Sequence, residues 1–287
     1  MTAPTNDAST ESGRWVDFTF THEGASVHAR RRLGLGAPVV FLHGFGDYAD
    51  CWQGLLARLP ESLDAVLVDS LGHGASGYPQ SGCDSVARRD SIVSMLTDHI
   101  GPAVLVGHSM GAATALAVAA HRPDLALGLV LEDPPWWMHE LDVTPAGSVR
   151  IGRDEPIVKW IEGLQEQSLE QVVADCKVMR PGWDEVEYEH WSRSKLQMNI
   201  AAVDLPFREI PVSVRSQWQA IRCPALLITG DASKGGIVTD EVAEGFLATV
   251  PSAQRSHHSR CGHDVRRDDP AMVAAAVTEF ISKINAG

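Results

Sequence analysis

From residue 37 to residue 133, short continuous apolar runs take turns with segments of helical spacing. "APVVFL" (37–42), "DAVLVDS" (64–70), "AVLVG" (103–107) and "LGLVLED" (127–133) are short and almost unbroken in their hydrophobicity. Such runs are strands buried on both faces. "DCWQGLLARL" (50–59), "DSVARRDSIVSMLTDHI" (84–100) and "GAATALAVAAH" (111–121) separate them as helices. Strands joined through helices need crossovers, and crossovers produce a mostly parallel sheet covered on both sides. Two alternating strand patterns, "WVDFTFTH" and "ASVHARR", precede this region. The alternation stops at residue 134. Residues 134–221 hold only helical segments ("EPIVKWIEGLQEQ", "SLEQVVADCKVM", "DEVEYEHWSRSKLQM"), after which "PALLITG", "DEVAEGFLATV", "AQRSHHS" and "PAMVAAAVTEFISKI" resume it. The expectation is an α/β fold: a mostly parallel sheet of about eight strands with helices on both faces, and a helical cap inserted after the sixth strand. In domains, 1–13 is a disordered tail, 14–133 and 222–287 are the core, and 134–221 is the cap.

Composition narrows the function. A formal charge of −13 argues against nucleic acid as a partner, because phosphate binding needs a concentrated basic surface. It also suits an anionic membrane poorly. Five scattered cysteines without a CxxC pair read as reduced thiols, not as a disulfide frame or a zinc site. The polar start "MTAPTNDASTES" lacks a signal-peptide pattern, so a cytoplasmic protein is expected. No metal or cofactor is expected, and a homodimer stays open.

At residues 107–111 the sequence reads Gly-His-Ser-Met-Gly, with a buried strand before it and an Ala-rich helix after it. This is G-x-S-x-G in the context where the motif carries a mechanism. A sharp strand-to-helix turn holds Ser109 at the C-terminal edge of the sheet, and the helix N-terminus favours developing negative charge. A serine hydroxyl needs a base. Of the 12 histidines, His263 in "SRCGHDVRRDDP" is the strongest candidate, because it lies in the loop between the last strand and the final helix. His108 packs below the turn, His43 and His73 come early in the chain, and His257 and His258 fall within a strand. An oxyanion also needs donors. The N–H of Met110 and the N–H of Phe45, in the glycine-rich "FLHGFGD", are placed to supply them.

Together "FLHGFGD", "VDSLGHGASG", "VGHSMGAATALAVAAHRPD" and "RCGHD" resemble the α/β-hydrolase superfamily. The resemblance runs from about residue 37 to 284, with residues 134–221 matching the family's cap. It implies a triad of serine, histidine and an acid. In most of the family the acid follows the seventh strand as Gly-x-x-Asp. Here that position is Ser233, and the loop's carboxylate is Asp231, directly after Gly230. A minority, such as haloalkane dehalogenases and fungal zearalenone lactonases, carry the acid after the sixth strand, 24 residues beyond the nucleophile. Asp133 stands there, with Glu132 beside it. Asp133, Asp231 and Glu132 therefore all remain candidates.

Serine as nucleophile points to acyl transfer to water. Six of the eight tryptophans (Trp136, Trp137, Trp160, Trp183, Trp191, Trp218) fall within 134–221. A pocket lined by His43, Gly44, Trp136, Trp137 and Trp183 suits a small hydrophobic ester or lactone. Two other readings stand beside it. One is carbon–carbon bond hydrolysis of the meta-cleavage type, which a cation such as Arg180 or Lys195 in the pocket would support. The other is a ligand-binding member of the fold.

Overall fold

The computed structural model describes residues 14–137, 141–142, 154–204 and 210–286. The predicted tail, 1–13, lies outside them, as do parts of the predicted cap. Eight strands form one sheet: β1 (Trp15–His22), β2 (Ala25–Arg32), β3 (Leu35–Leu42), β4 (Leu63–Val68), β5 (Ala103–His108), β6 (Ala126–Glu132), β7 (Ala225–Gly230) and β8 (Ala253–His258). Their order is β1-β2-β4-β3-β5-β6-β7-β8. β2 pairs antiparallel with β1 and β4, and every other pairing is parallel.

Every residue of β4, β5 and β7 is buried, which is why these segments read as unbroken apolar runs. Side chains alternate across the sheet. Val40 and Leu42 of β3 enter one core layer, and Val39 and Phe41 enter the other. The first layer is covered by α2 (Ser85–Met95), α3 (Met110–His121), α7 (Val214–Ala220) and α8 (Asp240–Thr249). The second lies under α1 (Gln53–Leu56), α9 (Val265–Asp268) and α10 (Pro270–Ala286).

Three helices between β6 and β7 pack on one another: α4 (Pro156–Gln165), α5 (Leu169–Met179) and α6 (Glu185–Gln197). A reciprocal capping box of Ser168 and Gln171 starts α5, a local arrangement that satisfies two orphan donors. α6 seats on α1, and there a β-carbon on Gly54 would collide with the Glu187 carboxylate. One helix of the stretch expected as cap, 134–221, packs on the core. α7 packs against α3 and α8, and Trp218, 0% exposed, joins the core layer beneath them. Its indole belongs to the α/β core and not to the cap.

Candidate active site

The crossover from β5 to α3 is as sharp as the glycines imply. Ser109 has φ +50°, a region that costs a non-glycine residue about 1–3 kcal/mol and persists where the surroundings enforce it. Here they do: the Ser109 N–H donates to the Glu132 carbonyl of β6 at 2.9 Å, and its carbonyl accepts from Ala113 at 3.0 Å. A β-carbon at Gly111 would collide with the Leu42 carbonyl, so this position must be glycine for α3 to start against β3. Ser109 is half-buried, and the Met110 N–H opens the first turn of α3.

The structure separates the three acid candidates. Asp133, fully buried and at φ +40°, accepts the Nδ1–H of His263 at Oδ2, 2.6 Å away. The same carboxylate takes the N–H groups of Ile237 (2.8 Å) and Val238 (3.1 Å). Asp231 spends its carboxylate on the N–H and Oγ–H of Ser233, at 2.8 and 2.6 Å. Glu132 turns to Arg266, accepting its backbone N–H at 2.7 Å and its guanidinium at 3.3 Å. Burial raises the Glu132 carboxyl to about 6, against the pull of Arg266.

Burial pulls the His263 imidazole down. The Asp133 hydrogen bond and the negative charges of Asp264, Asp133 and Glu132 outweigh that, and its pKa stands above 6.5. With Nδ1 committed to Asp133, Nε2 is the nitrogen left for proton transfer. His108 braces this residue from below: its Nε2–H donates to the His263 carbonyl at 3.1 Å, with the ring centroids 4.7 Å apart.

Gly44 lies against the elbow. A β-carbon there would come within 2.7 Å of His108 Nδ1 and 3.4 Å of Ser109 Cβ. The turn at 44–47 is closed by the Asp47 N–H, which donates to the Gly44 carbonyl at 3.1 Å. It is anchored by the Gly46 N–H, which donates to His73 Nε2 at 3.1 Å. His73 stays neutral, its pKa pushed down to about 3 by burial and by His43 beside it.

Three residues expected in the pocket are buried against other groups. His43 is fully buried, donating from Nδ1 to the Gly44 carbonyl (2.8 Å) and accepting the Ser70 N–H at Nε2 (2.9 Å); both nitrogens are occupied with backbone. Trp136, 1% exposed, packs its ring on Trp218 and Phe246 in the core. Trp183, 6% exposed, lies among Tyr188, Trp191 and Arg267 and donates from Nε1 to Asp268 at 2.8 Å, fastening the insertion to α9. Trp137 is half-buried where the chain leaves β6. Phe45 packs its ring on His73 and on the apolar group Val158, Ile161, Met198 and Ile200.

A buried charge network lies behind these loops. Asp47 receives Lys195 at Oδ1 (3.0 Å), and Arg266 and Arg267 at Oδ2 (3.0 Å each). Arg267 also bonds Glu187 of α6 (2.9 Å) and Asp264 (2.7 Å). Burial alone would raise the Asp47 carboxyl, but Arg267, Lys195 and Arg266 hold it well below the usual range. The members are far apart in sequence and have no common motif, so only the fold reveals them. Lys195 is thereby fully engaged and not a pocket cation. Among the described residues one cluster, His258, Cys261 and Asp269, brings metal-ligand types together.

Sheet order, elbow and insertion define an α/β-hydrolase architecture. A family model described as "Alpha/beta hydrolase family" matches residues 39–276, and the chain belongs to that family; it is a hydrolase of the α/β fold. It is similar to 2-(acetamidomethylene)succinate hydrolase of Mesorhizobium japonicum, with 24% identity over 88% of this chain and 90% of the relative. It is also similar to 2-succinyl-6-hydroxy-2,4-cyclohexadiene-1-carboxylate synthase of Enterobacter sp. (strain 638), with 27% identity over 89% and 96%. Among solved structures, N-formylmaleamic acid deformylase from Pseudomonas putida S16 superposes with a TM-score of 0.72 at 18% identity, over 91% of this chain and 100% of that one. No helix among the described residues is long and apolar enough to cross a membrane.

Proposed function

We propose that the protein is a cytoplasmic serine hydrolase that cleaves a carboxylic ester or lactone of a hydrophobic substrate through an acyl-enzyme. The observation that carries this reading is the 2.6 Å bond between His263 Nδ1 and Asp133 Oδ2, with His263 packed on His108, the residue that precedes a serine at φ +50°. In the reaction Ser109 Oγ attacks the substrate carbonyl carbon while its proton passes to His263 Nε2. The Phe45 and Met110 N–H groups receive the oxyanion. Collapse breaks the ester C–O bond, and His263 returns the proton to the departing alkoxide. Water then attacks the acyl-enzyme with His263 as base, releasing the acid and restoring Ser109. The apolar group against Phe45 and half-buried Trp137 favour a hydrophobic acyl or alcohol portion.

A second reading takes the same triad to an acidic substrate, and the names of the relatives, which specify succinate and maleamic acid compounds, favour it. Lys195 is not free to receive a carboxylate. Arg180, the other cation named from the sequence, has its side chain 49% exposed, 3.8 Å from Asp264 and over the Trp183 ring; on this reading it is the one of the two that can meet a carboxylate. The experiment is turnover of a p-nitrophenyl ester panel and of an N-acylated enamine dicarboxylate by the wild type and by Ser109→Ala. Ester turnover abolished in the variant supports the first reading. Turnover confined to the dicarboxylate supports the second, and undiminished activity of Ser109→Ala removes both.

A further inference from the structure

Lys195 lies near the C-terminal end of α6 and is 4% exposed. Its Nζ donates to the Gly46 carbonyl at 2.8 Å as well as to Asp47 Oδ1. The Gly46 carbonyl belongs to the peptide group whose other end is the Asp47 N–H. That N–H donates to the Gly44 carbonyl at 3.1 Å. The Gly44 carbonyl, in turn, belongs to the peptide group whose other end is the Phe45 N–H. In a planar trans peptide, C=O and N–H point in opposite directions, so fixing one end aims the other. One chain of hydrogen bonds thus runs from an ammonium on the helical insertion, through two peptide groups, to the N–H assigned to the oxyanion.

Resting on the serine-hydrolase reading above, we propose that Lys195 is a positioning residue of the oxyanion hole, acting through the Gly46–Asp47 and Gly44–Phe45 peptide groups to aim and polarise the Phe45 N–H. Every donor in the chain points the same way, and successive bonds so aligned strengthen one another where water is excluded. The ammonium stands at the head, where its charge draws electron density from both amides toward itself and leaves the Phe45 hydrogen more positive. The head is fixed: Ser194 Oγ lies 3.2 Å from Nζ and the Trp191 ring centroid 4.7 Å away. Asp47 is itself held by Arg266 and Arg267. The Gly44 carbonyl is secured from a second side by His43 Nδ1–H. Because Lys195 belongs to the insertion and the amides belong to the core, the donor is fully set only when α6 is seated.

A lysine serving only to fasten α6 would affect stability and nothing else, and the test separates the two roles. For Ser109→Ala, Lys195→Met and Lys195→Arg, kcat, KM and melting temperature are measured on a p-nitrophenyl ester. Inhibition by an aryl trifluoromethyl ketone, whose serine adduct places an oxyanion in the hole, is measured for the two lysine variants. The expected result for Lys195→Met is kcat lower by about tenfold, less than the loss from deleting a donor outright. KM should stay within about twofold, ketone affinity should weaken by the same factor as kcat, and Lys195→Arg should recover most of both. Wild-type kcat and ketone affinity in a Lys195→Met protein that merely melts earlier overturn the inference. If Lys195→Met does not melt cooperatively, Lys195→Gln carries the same two measurements, with weakened ketone affinity supporting the proposal and unchanged affinity overturning it. Undiminished turnover by Ser109→Ala removes the serine reading and this inference with it. Loss of turnover there, together with wild-type ketone affinity in the lysine variants, overturns this inference alone.

Discussion

His263 and Asp133 share a 2.6 Å hydrogen bond although 130 residues separate them, and the acid reaches it from a left-handed backbone at φ +40°. Two further backbone donors hold the carboxylate in place, so it cannot swing away from the imidazole without leaving both N–H groups, that of Val238 buried, unpaired.

Replacing Asp133 by Asn should therefore lower kcat by about 10⁴-fold while leaving KM within a small factor, because the imidazole loses both its tautomer and its counter-charge. Asp231→Asn should change kcat by less than about twofold, since its carboxylate serves Ser233. Steady-state kinetics of the two variants on one ester decide between them.

The pH profile follows from two histidines shifted in opposite directions. On the proposed reading the base works only when His263 is neutral, and its pKa is raised above 6.5. Activity should thus fall with acid through a limb above 6.5, and Asp133→Asn should move that limb down. For stability the signs differ. The raised His263 contributes stabilisation that is complete below 6.5 and disappears as pH rises through its folded value. His73, depressed to about 3, stabilises above 6.5, and that contribution is lost as pH falls toward 3, where the unfolded chain takes up a proton the folded one refuses. Melting temperatures of wild type, His263→Gln and His73→Gln between pH 5 and 8.5 report each contribution as a difference.

The corrected tryptophan gives a contrast between neighbours. Trp136→Ala opens a cavity beside Trp218 and Phe246 and should cost about 3–5 kcal/mol of stability, with KM nearly unchanged. Trp137→Ala should do the reverse, raising KM with a small effect on denaturant midpoint. Urea unfolding and ester kinetics on both variants check this.

The sheet and the elbow were legible because their physics is local. A doubly buried strand shows as an apolar run, and the glycines around Ser109 answer a collision between adjacent elements. The acid was not legible, since Asp133 and Asp231 both end a strand at the correct edge and differ only in what their oxygens meet. Aromatic content could not tell a wall of a pocket from core. Trp136 and Trp183 sit where the chain leaves or covers the sheet, yet Phe246 and Asp268, which fix their roles, lie far along the sequence. The packing of α7 was hidden for the same reason: a short helix reads alike whether it packs on a cap or on α3.

The strand order has a consequence for how a working enzyme is completed during synthesis. β5, β6, β7 and β8 join the sheet on one side in the order in which they are made, and His263 follows the last of them. The Ser109 elbow emerges more than 150 residues before its base does, and chains leave the ribosome at about 5–20 residues per second. For roughly 8–30 s, then, the nascent chain carries Ser109 without His263. His263 follows β8, and Arg266 and Arg267, which bond Asp47, come directly after it, so on the proposed reading the triad closes only once β8 is in place.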